Sequence, residues 1–225
     1  MSGDLETRAR LRRAGEQLFA ERGFKKVTVR EICRAADANV AAVNYHFGDK
    51  LGLYREVLDA AVGRIRATND AARAAGRGRS AEERLRRSIR IFVSRLLASG
   101  GETVHRLIQR EINDPTQALD ALIEQGIRPR LEYLSRAVAD IIGCVASDPR
   151  VLRSVASIQA QTLAYLPHPI AARVGFTLKP SSAVEVEAIA DHIAEFSLAG
   201  VRRIARMKRS ARMPKSAPAT RHRLS

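Results

Sequence analysis

Tryptophan is absent from this sequence, aromatic residues make up only 4% of it, and cysteine occurs twice. The two thiols, Cys33 and Cys144, are far apart on apolar faces and form no Cys-x-x-Cys pair. They read as buried thiols rather than a disulfide or a metal site. Five scattered histidines, none in a His-Glu-x-x-His arrangement, offer no ligand spacing and no nucleophile–base cluster. An enzyme therefore finds no support here, and no cofactor is expected. No run approaches the roughly 20 apolar residues of a membrane span. The N-terminal MSGDLETRAR lacks the apolar stretch of a secretion signal. The expectation is a cytoplasmic protein with no membrane partner. Apolar–polar alternation is missing as well, which argues against strands.

What the chain has is alanine, leucine, isoleucine and arginine, a composition that enters helices at little entropic cost. A hydrophobic fraction of 45% is enough for a core. The net charge is +15, unevenly placed. Residues 1–60 carry 11 basic and 9 acidic side chains, 61–110 carry 12 and 4, 111–200 carry 7 and 11, and 201–225 carry 9 and none. A basic neck and tail around a more acidic body suit a polyanion approached from one end. A merely solubilising surface reads equally well, and a nonspecific nucleic-acid packaging protein is a further alternative.

Punctuation divides the chain into about nine helical segments, an all-α fold. The first runs from Asp4 to Arg22 and stops at Gly23. Thr28 and Glu31 form a capping box for a second helix to Ala36, with Val27 and Ile32 as its hydrophobic staple. After a turn at Asp37-Ala38, Asn39 caps a third helix to Phe47. Asp49 caps a fourth, from Lys50 to Ala75. Further segments are expected over 80–98, 103–112, 115–142, 149–166 and 182–207. Asp114-Pro115 and Asp148-Pro149 read as start signals, Pro129 as a kink or split, and Pro167 to Ser181 as a long loop. The chain thus divides into a three-helix head (1–50), a helical body (51–207), and a basic disordered tail (208–225).

Two short helices joined by a three-residue turn, behind a longer helix, have helix-turn-helix spacing. In the third helix Val40, Val43 and Phe47 should face inward. Ala41 and Ala42 are small enough for close approach to a groove floor, and Asn44 can pair with a base edge. Tyr45 and His46 can donate to phosphates, while Arg30 can grip a guanine. Lys50, at a helix N-terminus, favours a phosphate. Taken singly, Tyr45 also reads as a packing residue, and His46 and Arg30 as ordinary surface.

Phe24 to Ile32 (FKKVTVREI) and Ala35 to Lys50 (AADANVAAVNYHFGDK), with Leu18-Phe19 and Gly23-Phe24 before them, resemble the head of the tetracycline-repressor (TetR) family over about Thr7 to Val62. The resemblance implies a double-stranded DNA operator as partner. It places Thr28, Tyr45, His46 and Lys50 at phosphates and Arg30, Ala41, Ala42 and Asn44 near bases, with Asn39 capping the reading helix. Asp37 departs from the family's turn glycine, and Asn44 from a common tyrosine. Arg110 to Asp120 (REINDPTQALD), followed by Ile127-Arg128-Pro129, resembles a CerR-type C-terminal domain.

That resemblance implies a homodimer built on the last two helices. One stripe would hold Leu152, Val155, Gln159 and Leu163, the other Ile189, Ile193, Phe196 and Gly200; both also read as ordinary core. An effector pocket is expected among the helices from 80 to 142. Phe92, Leu96, Leu107, Ile108 and Tyr133 would be its walls, and His105, Gln109 and Glu111 its polar contacts. A small-molecule effector would shift the population toward heads at the wrong separation for successive grooves.

Overall fold

The computed structural model describes residues 2–167, 173–175, 178 and 180–212. Among them the chain forms nine helices and no strand: α1 (Ser2–Arg22), α2 (Val29–Ala35), α3 (Val40–Phe47), α4 (Lys50–Gly76), α5 (Ala81–Leu97), α6 (Gly101–Asn113), α7, α8 (Pro149–Leu163) and α9 (Ala183–Arg212). The stretch α7 is continuous through three parts, Leu119–Ala121, a π-helical turn Leu122–Ile127, and Arg128–Ile142. Part of the loop expected over 167–181, and the tail 213–225, lie outside the described residues.

Local signals set the helix ends in the head. Thr28 accepts from the Glu31 amide, and the Glu31 carboxylate accepts from the Thr28 amide at 2.8 Å. Bonds from the Thr28 hydroxyl and amide, with Arg22 at 2.7 Å, hold the Glu31 carboxyl down at about 2. Asn39 accepts from the Ala42 amide at 2.8 Å, and Asp49 from the Gly52 amide at 2.7 Å. Leu11, Phe19, Val27, Ile32, Val43, Leu53 and Val57 are fully buried and fuse α1–α4 into one core. Phe19 and Tyr54 meet edge-on with ring centroids 4.9 Å apart. Val40, expected to face inward, is 44% exposed, because it opens α3 beyond the reach of α1 and α2.

In the body α5 is the central helix, packed on α4, α7 and α9. Leu85, Ile89 and Val93 meet Leu134, Val138, Val151, Ile193, Ala194 and Leu198 in a second core. Part of the positive charge of the neck and of the C-terminal segment is paired here. Arg84 pairs with Asp140 at 2.5 Å, Arg86 with Glu195 at 2.7 Å, Arg90 with Asp191 at 3.0 Å, and Arg202 with Glu82. Such half-exposed pairs stabilise weakly but fix how α5 sits against α7 and α9.

Several expected boundaries move. Asp114 ends α6 instead of starting a helix, since Thr116 turns the chain by donating from its amide (2.8 Å) and hydroxyl (2.9 Å) to Glu111. Gly100, at φ +82°, is the residue that opens α6. Pro129 stands at the second position of the last part of α7, directly after the π turn, where its missing N–H is tolerated. The backbone of α9 runs to Arg212, five residues past its expected end at Met207. Cys33 is buried, whereas Cys144 is only partly so; both are free thiols.

Asp37 has φ +48°, the only positive φ outside glycine among the described residues. It sits in the turn between α2 and α3, where its carbonyl accepts from Arg10 at 3.2 Å. A left-handed backbone strains a side chain branched at Cβ most and glycine least. Asp37→Val should therefore lose on the order of 1–3 kcal/mol in a urea titration, while Asp37→Gly stays within about 1 kcal/mol of the parent or gains.

Candidate functional site

Three features of the molecule can act on something outside it: the outer side of α3, the cavity under α5, and the face shared by α8 and α9. On the first, Thr28, Arg30, Asn39, Ala41, Asn44 and Tyr45 are exposed, Tyr45 at 78%. Their support is rigid. Val43 is fully buried and Ala42 packs half-buried on the head core, so the Asn44–Tyr45 side of a two-turn helix has to face out.

The other two head residues are engaged inside the protein. The His46 side chain is only 7% exposed, with Nε2 3.4 Å from the Asp4 carboxylate. The Lys50 ammonium donates to the carbonyls of Phe24 and Val27, both at 3.0 Å, and lies 4.3 Å from the centre of the Phe24 ring. Lys50 thereby holds the turn from α1 into α2, and one of its three N–H donors remains for another acceptor.

The head is fastened to the body by a buried carboxylate. Glu111 on α6 has no exposed surface; it accepts from the Tyr54 hydroxyl of α4 at 2.7 Å and twice from Thr116. Burial, and next the Glu111 carboxylate, push the Tyr54 phenol far above its ordinary value. Leu107 of α6 is buried in the head core rather than in the cavity. Around the joint, Arg110 donates to the Glu21 carbonyl at 2.6 Å, Lys25 pairs with Asp114 at 2.5 Å, and Arg55 donates to Gln117 at 2.5 Å. Expected as a pocket contact, Glu111 belongs to this joint.

The cavity has a volume of about 430 Å³ and opens between α4, α5, α6, α7 and α8. Phe92, Leu96, His105, Ile108 and Gln109 line it. Tyr133 does not: its hydroxyl donates to the Ala72 carbonyl at 3.3 Å and closes over Gly76, where a Cβ would stand 2.2 Å away. Burial holds His105 below its ordinary value. Arg130 also lines the cavity, its guanidinium 3.0 Å from the centre of the Phe92 ring and donating to Gln159. Desolvation lowers Arg130 to about 9. Sequence reading missed it, although an arginine in step with Leu134, Ala137 and Val138 on an apolar helix face was a visible signal.

On the third feature, Leu152 (53% exposed), Phe196 (64%) and Gly200 lie open, and Phe196 and Gly200 border a groove between α8 and α9 with Ile204 and Met207. The remaining stripe residues sit elsewhere. Val155 and Ile193 are buried inside the protomer, Ile189 packs half-buried on the same core, and Gln159 and Leu163 face the cavity. Both stripes are split between the chain's own core, the cavity and an open face.

The joint makes a direct prediction. Tyr54→Phe leaves one buried carboxylate oxygen without its donor and should lower stability by about 1–3 kcal/mol. The loss in Glu111→Ala should not add to that of Tyr54→Phe, because each substitution removes one partner of the same bond. Additive losses in a urea double-mutant cycle would contradict the contact.

Comparison with known proteins agrees with this geometry. Residues 11–57 match the family of bacterial regulatory proteins described as tetR, and residues 81–201 match the C-terminal domain of the HTH-type transcriptional dual regulator CecR. The HTH-type transcriptional dual regulator CecR of Shigella flexneri is 30% identical over 161 residues, which cover 65% of this chain and 70% of that protein. A bacterial regulatory protein of the tetR family from Rhodococcus RHA1 superposes with a TM-score of 0.65 at 21% identity, over 87% of this chain and 96% of that one. A TetR-family regulator from Streptomyces coelicolor also reaches 0.65, at 19% identity, over 84% and 90%. These two structures share the fold; the sequence matches carry the kinship. This chain belongs to the TetR family, carries a CecR-type C-terminal domain, and is a DNA-binding transcriptional regulator.

Proposed function

We propose that the protein is a repressor that binds a near-palindromic operator as a homodimer and is released by a small-molecule effector. The observation that carries the DNA reading is the exposed row Asn39, Ala41, Asn44 and Tyr45 on a helix whose opposite side is locked into the head. Set in a major groove, Ala41 and Ala42 let the α3 backbone approach, Asn44 meets a base edge, and Tyr45 reaches the flanking phosphates. Arg30 and Thr28, on the first turn of α2, face the adjoining backbone or a neighbouring base. Lys50 acts mainly by holding the α1–α2 turn, with its spare N–H left for a phosphate. His46 orients the end of α3 and contributes less to DNA than its type suggests.

Twofold symmetry supplies the second half-site. Leu152, Phe196, Gly200 and Met207 offer an apolar face on which α8 and α9 of a second copy can pack. In this reading the effector occupies the cavity lined by Phe92, Leu96, His105, Ile108 and Gln109. It favours a conformation whose heads no longer span successive grooves. The Glu111 joint makes α4 and α6 move as one, which is how a change beside Ile108 reaches α3.

The test is a footprint of the full-length protein on its own promoter region. Two half-sites about one helical turn apart should be protected. Asn44→Ala and Tyr45→Ala should each weaken binding by roughly 5- to 150-fold while the dimer persists in sedimentation. Phe196→Glu should give monomers and lose the site. Equal competition by random DNA would instead favour a packaging protein and overturn the regulator reading.

A further inference from the structure

Arg130 has no counter-ion among the described residues. Among them it lies within ion-pair distance of no carboxylate, and its one hydrogen bond goes to the neutral amide of Gln159. The other arginines of the body core edge contrast with it: Arg84, Arg86, Arg90, Arg150 and Arg202 each hold an Asp or Glu. Arg130 is half-buried; a guanidinium partly removed from water without an acid is costly, and it retains donors for another acceptor. The cavity it faces is lined by three arginines, Arg64, Arg95 and Arg130, and by no acidic residue at all; only Arg64 is paired, with Glu16. Most of the remaining surface is apolar, from Ile65, Leu96, Val104, Ile108 and Ile127 among others.

We propose that the cavity takes an amphipathic organic anion, a carboxylate or sulfonate on an aromatic or aliphatic body, with the negative group seated on Arg130. This rests on the reading of the cavity as the effector site. The planar fork of Arg130 suits a bidentate two-oxygen acceptor. Phe92 braces the fork from one face and Gln159 from one edge, so the charge is held in place before the ligand arrives. A single half-buried cation neutralises one negative group, which fits a monoanion better than a polyphosphate. At about 430 Å³ the space is that of a drug-sized molecule. Its apolar body would lie against α4 at Ile65 and α6 at Ile108, the two helices that meet at Glu111.

Two fluorescent probes test the claim on the full-length protein: 8-anilinonaphthalene-1-sulfonate and N-phenyl-1-naphthylamine, which has the same rings without the sulfonate. Wild type should prefer the sulfonate by about tenfold or more, against the order of their hydrophobicity. Arg130→Met should weaken the sulfonate by about tenfold and leave the amine within about twofold; Arg130→Lys, which keeps the charge but not the fork, should fall between wild type and Arg130→Met. Gln159→Glu, which supplies an internal counter-ion, should reproduce the loss without unfolding the body. Leu96→Trp, or Ile108→Trp where the first fails to fold, should exclude both probes. Equal binding of both probes to wild type and to Arg130→Met, with both excluded by the tryptophan, overturns the anion claim and leaves the cavity as the site. Probe binding that survives the tryptophan overturns the cavity reading itself, and the proposal with it.

Discussion

The joint between head and body is organised around one buried carboxylate. Glu111 is held by α6, touches α4 through the Tyr54 hydroxyl, and shapes the turn after α6 through Thr116. A buried carboxylate must have its oxygens satisfied, and here all of its donors come from two other elements. Leu107, one turn earlier on α6, is buried among head residues, so polar and apolar contacts fix the same registry. The head is therefore no bead on a linker. It is clamped along α1 and α4, and α4 continues unbroken from the head into the wall of the cavity.

The charge pattern takes its meaning from where each cation ends up. Read along the chain, the arginines of 61–110 look like a basic neck. In three dimensions most of those on α5 face acids on α7 and α9 and set how these helices pack. Arg130 differs: among the described residues it is a half-buried cation without an acid, set in an apolar recess. A paired arginine positions helices, whereas an unpaired half-buried one carries unused binding capacity.

Helix ends were legible where a cap or a left-handed residue writes them locally. Thr28, Asn39, Asp49, Ser80 and Asp148 all cap as their spacing indicates, because the bond runs only two or three residues away. Asp37 could be read as the turn residue for the same reason. The failures share a different cause. Asp114-Pro115 carries a start signal that a distant constraint, the Glu111–Thr116 bonds, outweighs. Tyr133 has the right spacing for the cavity, but Gly76 gives its ring a closer berth on α4. Val155 and Ile193 lie on apolar stripes that serve two interfaces at once, and periodicity cannot say which. For the cavity, five residues expected in it line it, yet the cation that gives it a chemical preference went unnoticed. One charge on a long apolar helix reads as an exception until its surroundings are seen.

The Thr116 amide reports most directly on whether head and body share this joint, since it donates to the Glu111 carboxylate at 2.8 Å. Native-state hydrogen exchange should show this amide, the amides of α6, and those of the first turns of α4 opening together with one free energy. Exchange of the Thr116 and α6 amides at a much lower free energy than α4 would mean that the joint opens by itself. In that case nothing in the cavity could be transmitted through it.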